Sequence, residues 1–504
     1  MKFICKGVEY SLVASTVESA LRGRAPDPVG EHWVEVEKVQ WPRQQALELA
    51  TGLQCGGCPS DPATDLFERL GFRTSSRLRE VDVKPVDPVV FLLKQLSGVS
   101  QVDATSDRVN SVVSSVVRCV YNGQRTVAVG SGSNARIGAL LDLVDLHLHG
   151  EDRVGETPVS ADEVTVLLVD DTWDTEAEGA LRTLSAQLDA PFRVNLRRLT
   201  SRVEVLPISG AGLDDMGDHQ KYRYTEWLRY LLDLGERPPA LVNRIMAGVP
   251  RAEFRAYPML TRKNWWSLRL EGMEVAQVGP RQGRLDVGRD YDGRRGPERT
   301  TWLETVPEQR LTVNEDDASI ARATRAINLF ADTWGDVQSA EGKQNEHALE
   351  SRILRGIVPI RTSHGDLQLL QPAGSRVSWG SQFPTRWGRT SSNAGRYLDA
   401  LMRDGSTPWA LEIKVDGPSG AGYYYRHAVK QAVLYRHFIR QAAHLAPWFE
   451  RFGLDHRACR AAVVVPEFKT GNVHWGDRLR RVCEAFDVEL ITVPGRFAET
   501  GQLP

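Results

Sequence analysis

The chain has 504 residues, 41% hydrophobic and 25% charged, with a net charge of −2. This length points to about three domains and the composition to a globular protein, while the near-neutral balance excludes a globally basic nucleic-acid binder, so any basic surface has to be local. There is no apolar run of about 18 residues to cross a membrane, six cysteines are too few for a disulfide scaffold, and MKFICKGVEYSL lacks the apolar core of a secretory signal, so a cytoplasmic protein without membrane partners is expected.

Residues 1–78 read as a small α+β module, suited to recognition or to packing. KFICKGVEYSL and EHWVEVEKVQW alternate as strands do. Pro42 stands where a helix begins, ahead of RQQALELATGL, and a second short helical stretch, DPATDLFERLGF, ends at Gly71. Cys55-Gly-Gly-Cys58 is a lone CxxC and, with no second pair beside it, reads as two loop cysteines. Residues 79–95, rich in Pro, Asp and Val, read as a linker.

Residues 96–335 are expected to form a middle α/β region. VFLLKQLSGV and RVNSVVSSVVRCVYN are read as helices. RTVAVGSGSNARIGALLDLVDLHLHG is a strand, a Gly/Ser turn and a helix; EVTVLLVDD and TEAEGALRTLSAQLDA repeat the strand and the helix, which argues for parallel strands. The turn from Gly130 to Ala135 partly matches a dinucleotide fingerprint, whose N–H groups face an anion. The acidic residue expected about 20 positions later is missing, so an unliganded turn is the preferred reading. Asp170 and Asp171 end a strand and read as helix caps. Further on, KYRYTEWLRYLLDLGE and PPALVNRIMAGVP are helical in pattern, NWWSLRLEGMEVAQV and GRLDVGRD read as hairpin strands, RDYDGRRGPERTT as an exposed loop, and DDASIARATRAINLFADTWGD as the helix leading into the last domain, 336–504.

The chemistry concentrates in RYLDALMRDGSTPWALEIKVD. Two strand-like runs flank the turn sequence Arg403-Asp404-Gly405-Ser406. Tyr397, Asp399 and Leu401 share one face of the first run, and Glu412 and Lys414 share one face of the second, with Ile413 on the other side. A hairpin would place Asp399, Glu412 and Lys414 together. Two adjacent carboxylates repel, and a Mg²⁺ or Mn²⁺ ion removes that cost while keeping positions open for water and phosphate. A lysine beside them can activate water or hold a phosphate oxygen. Downstream, HAVKQAVLYRHFIRQ places Gln431 and Tyr435 at i and i+4 of a helix. Upstream, KQNEHALESRILRG carries Glu346 and Glu350 one turn apart. AAVVVP and VELITV read as buried strands separated by the helix GDRLRRVCEAF.

This order of residues resembles the PD-(D/E)xK nuclease superfamily, in its RecB-like and lambda-exonuclease-like branch with a QxxxY motif. The resemblance covers about 340–495, and Leu398 stands where the family name has Pro. It implies a restriction-endonuclease-like αβββαβ core within a multidomain α/β chain. It also implies metal ligation by Asp399 and Glu412, with Glu346 (first choice) or Glu350 completing the shell, a Lys414 that activates or orients water, and Gln431 and Tyr435 that position the phosphate. Between Ser375 and Arg440 there are ten Lys/Arg and four Asp/Glu, interleaved with Trp379, Trp387 and Tyr423–Tyr425. Arginines and stacking rings suit a nucleic-acid groove, with Arg396, Arg426, His427 and Lys430 as candidate contacts. The expected activity is metal-dependent phosphodiester hydrolysis, with DNA favoured over RNA. The setting would be restriction or anti-phage defence, with a homo-oligomer or a defence-system partner. Two other readings stand beside it: a non-catalytic binding protein on the same fold, and a nuclease gated by a nucleotide held near Gly130–Arg136.

Overall fold

The computed structural model describes residues 2–5, 8–24, 26, 33–37, 39–52, 66–67, 70, 72–74, 88–109, 112–130, 140–141, 143–145, 147–150, 160–169, 175–200, 202–208, 238–259, 264–288, 290–291, 294–306, 308, 310–341, 346–371, 375–384, 397–415, 421–468 and 473–494. The chain divides into two units, Met1–Pro88 and Val89–Pro504, and combines helices with several sheets in an α/β arrangement. Among the described residues no helix is long and apolar enough to cross a membrane.

The first unit starts with the hairpin β1 (Lys2–Cys5) and β2 (Val8–Ser11), followed by helix α1 (Ala14–Leu21). β3 (Trp33–Val36) pairs antiparallel with β4 (Val39–Pro42) on one side and with β5 (Arg73–Thr74) on the other. Between them, α2 (Arg43–Thr51) starts right after Pro42 and ends at Gly52, whose φ of 70° is the left-handed turn that glycine makes without strain. Val17, Leu21, Val34, Trp41, Leu47 and Phe67 form its core. Cys55 and Cys58 lie outside the described residues.

The second unit opens with α3 (Pro88–Gln95), so the end of the expected linker is helical. Residues 108–122, read as a helix, are strand instead. β6 (Val99–Val109) and β7 (Val112–Tyr121) form a long antiparallel hairpin that continues into β8 (Gln124–Gly130). The reason is local: the run is rich in valine, which suits a pleated surface. Asn122 and Gly123, both at positive φ (50° and 75°), form the tight hairpin turn to β8. β9 (Ser160–Val169) lies parallel to β8 and, after α4 (Thr175–Ala186), β10 (Arg193–Leu199) lies parallel to β9, with β11 (Val205–Pro207) antiparallel at the edge. The parallel strands expected from the repeated strand–helix pattern are present, in the order β11-β10-β9-β8-β7-β6. Most of the Gly130–Ala135 turn, together with Asp170 and Asp171, lies outside the described residues.

Next come α5 (Ala240–Gly248) and the antiparallel strands β12 (Phe254–Pro258), β13 (Trp266–Leu270), β14 (Met273–Val278) and β15 (Gln282–Leu285). The stretch read as a loop holds the short strands β16 (Asp290–Tyr291) and β17 (Arg294–Arg295) and the start of α6 (Pro297–Thr305), which Pro297 begins as a first-turn proline can. β18 (Leu311–Asn314) closes a sheet ordered β12-β13-β14-β15-β18, and α7 (Asp317–Glu341) follows.

The last part runs α8 (Glu346–Leu354), the small hairpin β19 (Arg361–Thr362) and β20 (Gly365–Asp366), then β21 (Ser381–Pro384), β22 (Tyr397–Asp404), β23 (Thr407–Ile413), α9 (Ala421–Gln441), α10 (Ala446–Arg451), β24 (Arg460–Pro466), α11 (Val473–Ala485) and β25 (Glu489–Val493). The sheet order is β21-β22-β23-β24-β25, antiparallel across the first three strands and parallel across the last three. The helices α9 and α11 supply the crossovers that parallel strands require. Alternation along the strands splits the packing. Ala400, Met402, Trp409, Leu411 and Ile413 pack with Leu349, Ile353 and Leu354 of α8, whereas Leu401, Ala410, Val463 and Val465 share a core with Val429, Val433 and Phe438 of α9.

Candidate active site

The site grows from the end of the β22–β23 hairpin. Gly405, at φ 56°, makes the turn, and pairing runs from Asp404 opposite Thr407 to Ala400 opposite Leu411. One more step along this register sets Asp399 opposite Glu412. There the backbone ladder gives way to a side chain: the Ile413 N–H donates to Asp399 Oδ2 at 2.8 Å, while the Lys414 N–H is held by the Val464 carbonyl of β24 at 3.0 Å. Both ends of the Glu412–Lys414 segment are thereby fixed before any side-chain chemistry begins.

Lys414 Nζ gathers the acids. It stands 2.6 Å from Glu412 Oε1, 3.5 Å from Glu346 Oε2 and 3.9 Å from Asp399 Oδ2, and it donates to the Ile413 carbonyl at 2.9 Å. Glu412 and Lys414 are buried, at 1% and 8% exposure. Burial raises the Asp399 carboxyl well above the ordinary range, and the charge of Glu412 adds to the effect; Lys414 and the Ile413 N–H oppose it. Burial raises Glu412 as well, against the attraction of Lys414 and Lys430. Burial alone would depress the Lys414 ammonium, but Glu412, Asp399 and Glu346 outweigh it and hold its pKa well above normal. Lys414 is thus shared among three carboxylates, and Asp399 and Glu412 hold a proton more tightly than free acids do.

Across from the strands, α9 presents Gln431 and Tyr435 on one face. Gln431 Nε2 donates to the Tyr435 hydroxyl at 3.3 Å, and that hydroxyl donates to the Tyr397 carbonyl at 3.1 Å, two residues before Asp399. Tyr435 is buried, which together with the charges of Glu412 and Asp399 keeps its phenol protonated. Lys430 is also buried, close enough for its charge to act on Glu412, so it lies beside the acids. The side chains of Tyr423–Tyr425, Arg426 and His427, on the first turns of α9, lie outside the described residues, as do Arg396 and Trp387. Trp379, a candidate for base stacking, is instead a core residue: it is 3% exposed and packs edge-on against Trp266 at 5.8 Å.

The two glutamates of α8 part company. Glu346 reaches Lys414. Glu350, one turn on and 2% exposed, turns to a second network: it accepts from the Ser381 hydroxyl and lies 3.8 Å from Arg269 Nη1 and 3.5 Å from His347 Nδ1. Arg269 comes from β13 and lies over the Tyr257 ring at 4.8 Å. At the tip of the β13–β14 turn, Glu271 accepts from Arg352 Nε at 2.9 Å and Arg355 Nη1 at 2.8 Å. Gly272 follows at φ 83°, and a side chain there would meet the His347 carbonyl at 2.0 Å. The antiparallel sheet is thus pinned to the helix that carries Glu346. No local pattern in WSLRLEG marks Arg269 or Glu271 for this role, since their partners lie more than 80 residues away.

Among the described residues, no group of three or more His, Cys, Asp or Glu side chains is gathered to hold a metal ion. The two core acids nonetheless fit a hard divalent cation. Glu412 Oε2 is buried with no hydrogen-bond partner among the described residues, and burial raises both carboxyls, helped by Glu412 at Asp399 and by Glu346 at Glu412. An oxygen-only pair suits Mg²⁺ or Mn²⁺, which retains water in its remaining positions. Compared with protein-family models, with curated proteins and with solved structures, the chain matches none.

Proposed function

We propose that residues of the Glu346–Val493 region form a metal-dependent nuclease site of the PD-(D/E)xK kind, hydrolysing phosphodiester bonds. The observation that carries this reading is the buried Asp399–Glu412 pair on adjacent strands, with a Glu412 oxygen that has no partner among the described residues and Lys414 beside it. Buried polar atoms are in large majority hydrogen-bonded, so a buried carboxylate oxygen without a donor favours a bound cation. Support also comes from the element order helix, three antiparallel strands, helix, strand, and from Gln431 and Tyr435 facing the acids from α9.

In this reading Asp399 and Glu412 would hold Mg²⁺ or Mn²⁺, with Glu346, which reaches Lys414, or Glu350, whose charge acts on Asp399, beside them. The bound ion supplies charge neutralisation at the phosphate and a more acidic water. Lys414, beside Glu412, would orient that water or hold a phosphate oxygen. The Gln431 amide is a donor suited to a phosphate oxygen, and the Tyr435 hydroxyl, kept protonated, would become one on leaving the Tyr397 carbonyl. Glu350, engaged by Ser381 and Arg269, orders α8, and its charge also acts on Asp399. DNA is the favoured substrate and restriction or anti-phage defence the favoured setting, both on the resemblance of the motifs. Incubation with linear and circular duplex DNA, single-stranded DNA and RNA, in Mg²⁺ and in Mn²⁺, tests the reading. Cleavage that chelation abolishes is expected, and the absence of cleavage of every substrate counts against it.

A further inference from the structure

Two residues beyond Tyr435, about 200° around the helix, His437 leaves the site face of α9 and lines a cavity of about 540 Å³. The other walls come from the C-terminal end of α4, with Arg182, Ser185 and Gln187, and from β10, with Asn195 and Arg197. The described lining residues include two guanidinium groups and an imidazole and no carboxylate. Arg182 is held in place by its Nη1, which donates to the Ile208 carbonyl at 2.6 Å, while its Nε is buried with no acceptor among the described residues. The volume falls in the range of roughly 300–1,000 Å³ typical of small-molecule sites. The wall is tied to α9: Gln187 Oε1 accepts from Arg436 Nη2 at 3.2 Å, and Arg436 also holds the Phe486 carbonyl at 2.9 Å.

We propose that this cavity binds a small phosphorylated molecule of about mononucleotide size, with its phosphate on Arg182 and Arg197, and that occupancy is felt along α9 at Gln431 and Tyr435; this second part rests on the nuclease reading above. Forked guanidinium donors match phosphate oxygens, and Ser185, Gln187 and Asn195 supply uncharged partners for a sugar or a base.

Titration calorimetry of the full chain with adenosine 5′-monophosphate, ribose 5-phosphate, inorganic phosphate and adenosine tests the site and separates a nucleotide from a sugar phosphate or a bare anion. Binding of at least one phosphate-bearing probe, with adenosine inert, is expected. Arg182→Gln and Arg197→Gln should each weaken it roughly tenfold or more, the effect of losing one charge-assisted hydrogen bond, and Arg197→Lys should weaken it less; thermal unfolding checks that each variant folds. If no phosphate-bearing probe binds, or if the variants bind as tightly as the parent chain, the site is refuted. A saturating probe should also change metal-dependent cleavage by about fivefold or more. Unchanged cleavage overturns the coupling but not the site. If cleavage is absent with and without probe while binding persists, the nuclease reading fails and the binding site stands.

Discussion

Lys414 Nζ stands 2.6 Å from Glu412 Oε1, and the same ammonium is within 4 Å of Asp399 and Glu346. Lys414 is therefore the cation that bridges this set of acids, of which Glu412 is almost fully enclosed. Removing one partner of a buried ion pair leaves a charge the interior cannot solvate. Replacing Lys414 with Met should destabilise the chain by about 3 kcal/mol near neutral pH. Urea unfolding measures this, and the deficit should shrink as the pH is lowered and the acids take up protons.

The pH dependence of the parent chain follows from the same cluster. An acid whose folded pKa lies above its unfolded value of about 4 keeps its proton in the folded state after the unfolded chain has lost it. Asp399 and Glu412 are both raised, so their contribution to stability falls as pH rises from about 4 through their folded values. Lys414, also raised, contributes fully until the pH passes its unfolded value of about 10.4. Unfolding followed from pH 5 to pH 8 without metal should show this loss. Asp399→Asn should flatten it, and Mg²⁺ or Mn²⁺ should offset it in the parent chain. A slope unchanged by Asp399→Asn would place the titration elsewhere.

Tyr435 couples the helix to the strand through one hydroxyl. Tyr435→Phe keeps the ring that fills the core and deletes the bond to the Tyr397 carbonyl. The expected loss is about 1 kcal/mol of stability. Cleavage should fall roughly tenfold with metal affinity unchanged, because the group touches phosphate and not metal in the proposed mechanism. Titration of Mn²⁺ alongside single-turnover cleavage separates the two effects.

The β13–β14 turn provides a test outside the site. Glu271→Ala leaves the guanidinium groups of Arg352 and Arg355, both mostly buried, without their shared carboxylate. A loss of about 2–3 kcal/mol is expected, together with a drop in cleavage as α8 and Glu346 loosen. Stability unchanged in thermal or urea unfolding would mean that the sheet does not anchor α8.

Local chemistry made part of this structure readable in the sequence. The Gly405 turn, the period-two faces of Asp399–Leu401 and Glu412–Lys414, and the i, i+4 spacing of Gln431 and Tyr435 all come from short stretches whose geometry depends on neighbouring residues. The parallel strands β8 and β9 were legible for the same reason. Residues 108–122 were misread because their apolar valines are dense enough to mimic a helical stripe. Their β-branching and the Asn122-Gly123 turn decide for a hairpin. The partners of Glu350 and Trp379 were less legible. Glu350 shares a helical face with Glu346, and only Ser381 and Arg269, brought in by distant strands, draw it into another network. Trp379 has the sequence surroundings of a binding-surface ring and is buried by Trp266 from a separate sheet.

The proposal stands or falls on Lys414 and the two acids acting as one metal-dependent unit. The direct measurement is cleavage of DNA and RNA substrates in Mg²⁺ and in Mn²⁺ by the parent chain and by Lys414→Ala, each checked for folding by thermal unfolding. The expected result is metal-dependent cleavage by the parent chain and a loss of about a hundredfold or more in the variant. No cleavage by the parent chain in either metal, or cleavage undiminished in a folded Lys414→Ala, would contradict it.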